Sequence, residues 1–169
     1  MRSVFVQQPD RIEVRLRTRG WRHMFVWLPV LAMLAIIFGE STDTMSSAHT
    51  GEFLRPWVQR VVGVMSDARW ELVHHLIRKT GHFCGYGLVC LTFLRAWLLE
   101  LARSARFSLV GWRVRSTLLA VLSAAAVASL DEWHQSMIPS RTGKPQDVLL
   151  DSCGAAVSCA LVWLFSKRA

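Results

Sequence analysis

Three short polar clusters hold the ionisable side chains that could do chemistry. The first is Lys79-Thr80-Gly81-His82 with Tyr86. The second is Asp131-Glu132-Trp133-His134-Gln135, and the third is Ser140-Arg141 followed by Asp147 and Asp151. Lys79, His82 and Tyr86 fall at i, i+3 and i+7, which places an ammonium, an imidazole and a phenol on one helical face. Asp131 shares a face with His134 and Gln135, and Glu132 points about a quarter turn away. Two carboxylates beside an imidazole can move protons or hold a cation. Asp147 and Asp151 stand one turn apart, with Gly154 and Ser158 continuing their face. Asp147 can cap a helix N-terminus, but Asp151 lies a turn deeper, where an acid needs a partner. Plainer roles exist for the rest: an interfacial cation, a capping His, an aromatic-belt Tyr, a solvated helix end.

These clusters sit at the ends of apolar runs. The runs extend from Met24 to Gly39 (with Pro29), Phe83 to Leu101 (with Arg95), Ser116 to Leu130 and on through Trp133 to Ile138, and Val148 to Phe165 (with Asp151). Each strictly apolar stretch falls a little short of the roughly 20 residues a bilayer needs, and flanking Trp, Arg or His suit the interface. Continuous apolarity without period-2 alternation selects helices over strands. The chain start lacks the early apolar stretch and cleavage site of a secretory signal, so the first run reads as an uncleaved anchor.

Charge in the loops predicts orientation. The N-terminal segment carries Arg2, Arg11, Arg15, Arg17, Arg19 and Arg22 against Asp10 and Glu13. The loop after the second run carries Arg103, Arg106, Arg113 and Arg115, and the C-terminus carries Lys167 and Arg168. These regions are expected in the cytoplasm. The balanced segment from Glu40 to Lys79 and the acidic one from Asp131 to Asp147 are expected outside. The expected architecture is therefore an all-α, integral membrane four-helix bundle with both termini cytoplasmic. Residues 1–22 form a basic cytoplasmic arm and residues 23–169 one four-span domain. In the long outer loop, Phe53 to Met65 and Trp70 to Ile77 suggest one or two short surface helices. Alternating residues from Ile12 to Arg17 fit a short strand or a loose arm. The stiff turn Pro139-Ser140-Arg141-Thr142-Gly143-Lys144-Pro145 should pair the third and fourth spans as a hairpin, with Arg141 beside the acids. Arg95, near the cytoplasmic end of its span, can snorkel.

Composition agrees. Of 169 residues 52% are hydrophobic, Trp occurs eight times, and mean hydropathy is +0.29. The net charge of +8 flanks apolar runs, which points to topology, and no nucleic-acid-binding signature accompanies it. Cys84, Cys90, Cys153 and Cys159 lie inside apolar segments without close CxxC spacing, as small buried hydrophobes do. No cofactor is expected, and no metal-binding motif such as HExxH occurs.

At these residues the chain resembles the VanZ-like membrane protein family. That family shows Lys-x-x-His-Phe with a Tyr four residues after the His, then Asp-Glu-x-x-Gln, a Pro-Gly-Arg-like turn, and an Asp leading a small-residue helix. Here these are Lys79-Thr80-Gly81-His82-Phe83, Tyr86, Asp131-Glu132-Trp133-His134-Gln135, Pro139-Ser140-Arg141, and Asp147 with Asp151 and Gly154. Ser140 stands where the family often has Gly, and Asp151 where it often has Asn. The likeness runs from about Ile36 to Phe165. It implies a multi-pass cytoplasmic-membrane protein. The family is named for a protein linked to low-level teicoplanin resistance, which connects it to the cell-wall precursor side of the membrane.

Three functions fit. One is a non-enzymatic outward pocket binding an amphiphile, such as a lipid-linked envelope precursor or a lipoglycopeptide. Its expected ligand-binding residues are Lys79, His82, Tyr86, Asp131, Glu132, His134, Gln135, Arg141, Asp147 and Asp151, with Arg141, Lys79 and His82 meeting phosphate or carboxylate. Another is an intramembrane enzyme acting on a lipid or isoprenoid phosphate, with His82 or His134 as base or nucleophile. In that case Asp131, Glu132, Asp147 or Asp151 could hold a divalent cation. The third is a structural or transport role. Against a transport path, the inner halves of the spans offer few polar residues, chiefly Thr92, Arg95 and Ser123.

Overall fold

The computed structural model describes residues 22–102 and 108–166. Among these the protein is all-helical, with no strand. Its helices are α1 (Arg22–Glu40), α2 (Ser47–Val62), α3 (Asp67–Leu101), α4 (Leu109–Ser136) and α5 (Pro145–Ser166), with a 3-10 turn at Asp43–Met45 between α1 and α2. Three of them, α3, α4 and α5, are long and apolar enough to cross a membrane, and α1 contributes a shorter apolar stretch, Met24–Glu40. The segment from Ile12 to Arg17, Arg103, Arg106, Lys167 and Arg168 lie outside the described residues.

Helix α3 departs from expectation. The segment Trp70 to Ile77 is not a separate surface helix but the start of a continuous helix of 35 residues. No Gly or Pro interrupts Asp67 to Thr80, so nothing stops the helix between the surface and the span. At 1.5 Å per residue it runs about 52 Å, well past the hydrocarbon thickness of ~30 Å. The break falls earlier, at Gly63, whose φ of 87° lies in the left-handed region that glycine adopts without a Cβ penalty. Only α2 is left as a distinct short helix. Helix α4 likewise begins before its apolar run. Ser108 caps it by accepting from the Gly111 N–H at 3.1 Å, so Arg113 and Arg115 are helical.

Helices α3, α4 and α5 pack against one another, and α1 packs on α3. The α3–α5 pair runs parallel, because contacts advance together along both: Lys79 with Asp147, His82 with Asp151, Cys90 with Cys159. Small residues permit the close approach. Ala120, Ala124 and Ala128 form a buried stripe at i, i+4 and i+8 on α4, and Ala96 and Ala155 are fully buried. At Gly154 an added Cβ would collide with the backbone carbonyl of Phe83.

Polar groups in the other half of the bundle are consumed by packing. Trp97 donates to Ser123 at 3.2 Å, Trp163 to Thr117 at 3.0 Å, Trp112 to the Leu98 carbonyl at 3.0 Å, and Thr92 to its own helix at Val89. Arg95 donates to the Val26 carbonyl of α1 at 3.1 Å. Cys90 and Cys159 are buried with sulfurs 3.3 Å apart, whereas Cys84 and Cys153 are exposed, beside Leu88 and Leu149 on apolar outer faces. Those faces are broad: Leu118, Leu122, Leu130, Leu149, Leu161 and Leu164 all point outward. An apolar exterior of this extent suits lipid, not water.

Gly154→Ala should force α3 and α5 apart and destabilise the protein by about 1–3 kcal/mol, the usual cost of overpacking. Gly85→Ala, with nothing within 4 Å of the added carbon, should be neutral or mildly stabilising. Thermal unfolding of the two variants in the same detergent checks the contrast.

Candidate functional site

The parallel register of α3 and α5 turns two one-turn spacings into a ladder. On the top rung Lys79 makes an ion pair with Asp147, in the first turn of α5. One turn deeper, His82 Nδ1 lies 3.6 Å from Asp151 Oδ2, and Asp151 is fully buried. One turn deeper again, Tyr86 donates its hydroxyl to Asp131 Oδ2 at 3.0 Å, and Gln135 donates to the same oxygen at 3.0 Å. Glu132 is also buried and accepts from the Lys144 backbone N–H at 2.7 Å. That bond needs the turn to lie against the end of α4, which it does at Gly143, where a Cβ would collide with the Glu132 carbonyl. Asp131 and Glu132, unfavourable at a helix C-terminus, are thus compensated by hydrogen-bond donors rather than by Arg141.

His134 and Arg141 face the end of α1 instead. His134 Nδ1 lies 3.1 Å from Ser41 Oγ, and its ring stacks on Phe38. Arg141, 8% exposed, donates from Nη2 to the Glu40 and Thr42 carbonyls at 2.6 Å each. Carbonyls past a helix C-terminus lack intrahelical donors, and a guanidinium satisfies them with charge-assisted bonds. Burial lowers the Arg141 pKa from the usual arginine value, with nearby Arg78 adding to the effect. Beside it, Ser140 donates to Asp43.

Above the ladder opens a cleft of about 330 Å³. His74, His75, Arg78, Lys79, His82 and Lys144 contribute basic side chains to its lining, against the acids Glu71 and Asp147. Below lies a cavity of about 20 Å³ against Ile37, Tyr86, Asp131 and Gln135, room for about one water molecule. His82 lines both and is the junction between them.

The motifs that meet here are the ones that carried the likeness, and the sequence model of the VanZ/LLP1 family matches residues 24–166. The chain belongs to the VanZ/LLP1 family. No curated protein and no solved structure matches it significantly. The match runs from the third residue of α1 to the end of α5, so this family member carries the ladder and the cleft within the matched region.

The structure brings Lys79, His82, Tyr86, Asp131, Glu132, Gln135, Asp147 and Asp151 into one column, with His134 and Arg141 on its α1 side. Sequence reasoning did not single out His74, His75 or Arg78. The signal was present: His75 and Arg78 continue the Lys79–His82 face backwards at helical spacing. It is hidden when the helix is started at the apolar run. His74 is 5% exposed and does structural work, lying 3.2 Å from Thr50 Oγ1, stacked on Trp70 and covered by Gly51 of α2.

Arg141→Ala should remove two charge-assisted bonds to carbonyls and lower stability by about 3 kcal/mol. Arg141→Lys should restore only part of it, because an ammonium lacks the planar fork. Lys79→Ala, at a partly exposed pair, should cost under ~1 kcal/mol. Unfolding temperatures in detergent give the order.

Proposed function

We propose that this VanZ/LLP1 family member is a four-span protein of the cytoplasmic membrane whose outward cleft binds the anionic headgroup of an amphiphilic, lipid-linked cell-envelope ligand. Both termini then lie in the cytoplasm, and a basic arm, residues 1–22, precedes the four-span domain. Support for the fourth span comes from α1, which follows α3 from the Arg95–Val26 contact at one end to Ile37, beside His82, at the other. Its 19 residues are about 28 Å long, close to the hydrocarbon thickness. Support for the orientation comes from the basic N-terminal and 103–115 segments.

The observation that carries the ligand class is the basic lining of the cleft. Arg78 and Lys144 converge there with Lys79 and three imidazoles, at the mouth of a bundle whose outer faces are apolar. Such a site takes phosphate or carboxylate from above while the surrounding lipid takes an acyl or isoprenoid chain. Withholding a wall precursor from teicoplanin, or holding the lipoglycopeptide itself, is how such a pocket would contribute to resistance.

The His82–Asp151 pair favours one further reading. An imidazole 3.6 Å from a buried carboxylate serves as a general base once the two close to hydrogen-bond distance, and the bound headgroup is then turned over as a lipid or isoprenoid phosphate.

The test is binding of an isoprenoid phosphate to the full chain in nanodiscs, followed by native mass spectrometry. Arg78→Ala with Lys79→Ala should weaken binding by about tenfold or more, the loss of ~1.4 kcal/mol or more. Arg113→Ala, towards the opposite end of the spans, should leave it unchanged. Equal affinity in all three proteins refutes the headgroup site. Phosphate release that disappears in His82→Ala would establish turnover.

A further inference from the structure

Beneath the cleft, three helices each contribute one buried or half-buried metal-ligating group: His82 from α3, Glu132 from α4 and Asp151 from α5. One ligand atom from each lies within 4.8 Å of the other two. We propose that these residues form a divalent transition-metal site, with zinc the ion that fits the donors best. The proposal goes beyond headgroup binding and does not rest on it.

The independent observation is Asp151. Its side chain is fully buried, and neither carboxylate oxygen has a hydrogen-bond partner. The nearest cationic candidate, His82 Nδ1, stands at 3.6 Å, too far for a good hydrogen bond. A carboxylate withdrawn from water without donors is costly, and the other acids at this depth avoid that cost. Asp131 is held by Tyr86 and Gln135, and one Glu132 oxygen by the Lys144 N–H. Asp151 alone among them is left without a hydrogen-bond donor and points at the group formed with His82 and Glu132.

Charge and donor type select the ion. Two carboxylates and a neutral imidazole around a divalent cation sum to zero, the cheapest state at this depth. One nitrogen and two oxygen donors suit zinc, whereas calcium seeks six or more oxygens and magnesium a near-octahedral oxygen shell. A tetrahedral site with bonds of ~2.1 Å holds its donors about 3.4 Å apart, so donors within 4.8 Å of one another need to close by about 1.4 Å at most. Three protein ligands leave the fourth position to water, on the side where His82 lines the cleft. The Lys144–Glu132 bond fixes one ligand, as outer-shell partners do at metal sites.

The full chain, purified without a histidine tag and stripped with chelator, is titrated with zinc and its bound metal measured by mass spectrometry. One zinc per chain should bind tightly and raise the unfolding temperature, and cobalt(II) in its place should give the visible bands of a tetrahedral site. His82→Ala, Glu132→Gln and Asp151→Asn should each weaken zinc more than tenfold. A His74→Ala, His75→Ala variant should retain it, which separates the site from the other imidazoles that line the cleft. Asp151→Asn is isosteric and removes a buried charge, so without metal it should unfold no earlier than the stripped wild type. Absence of tight zinc in the folded wild type overturns the proposal. So does zinc that survives Asp151→Asn, or zinc lost with His74 and His75 instead.

Discussion

The contact of Gly154 with the Phe83 backbone is the constraint on which the polar centre depends. It brings α3 and α5 together closely enough that a Cβ cannot enter, and it fixes how far one helix is shifted along the other. Because the two run parallel, every turn of α3 then meets the corresponding turn of α5. Lys79 reaches Asp147, His82 approaches Asp151, and deeper down Gly87 faces Ser158. A shift of one helical turn, about 5.4 Å, would set Lys79 beside Asp151 and leave Asp147 to solvent. The small-residue stripe on α4 has the matching effect, admitting the third helix near enough for Asp131 to take the Tyr86 hydroxyl.

Acids at this depth in the bundle are tolerated because almost every one has a donor. Asp131 has two, Glu132 has a backbone N–H, and Asp147 has an ammonium. The Arg141 guanidinium is used differently, joining the end of α1 to the α4–α5 turn. Shielded from water, unpaired carbonyls at the end of α1 would also cost free energy, although less than unpaired carboxylates. That makes Arg141 a structural cation within a site whose neighbouring cations, Arg78, Lys79 and Lys144, line open space.

The long α3 continues past this centre, beyond its apolar stretch. Its first turns carry His74, which docks α2 through Thr50 and Trp70, while Arg55 of α2 pairs with Asp67 at the helix start. The next turns carry His75 and Arg78 to the cleft wall. Rigid continuation of a span thus supplies both a platform for a surface helix and the basic rim of a cavity. A flexible loop over the same residues would have placed them with far less accuracy.

Much of this was legible in the residues themselves. Unbroken apolar runs required helices, the i, i+3 and i+4 spacings assigned faces to Lys79, His82 and Tyr86 and to Asp147 and Asp151, and the motif order pointed to the family that the full match established. The expected surface segment Phe53 to Met65 ran through Gly63, where α2 in fact stops, and the absence of any breaker after Asp67 was the clue to the length of α3 that apolarity obscured. Tertiary structure decided the partners: His82 to Asp151, Tyr86 to Asp131, Lys144 to Glu132, Arg141 to carbonyls and not acids. Periodicity determines which residues share a face of one helix, since that follows from the backbone alone. Which face meets which, and at what axial offset, follows from close packing between helices, and here that was set by a glycine and a backbone carbonyl with no charge of their own.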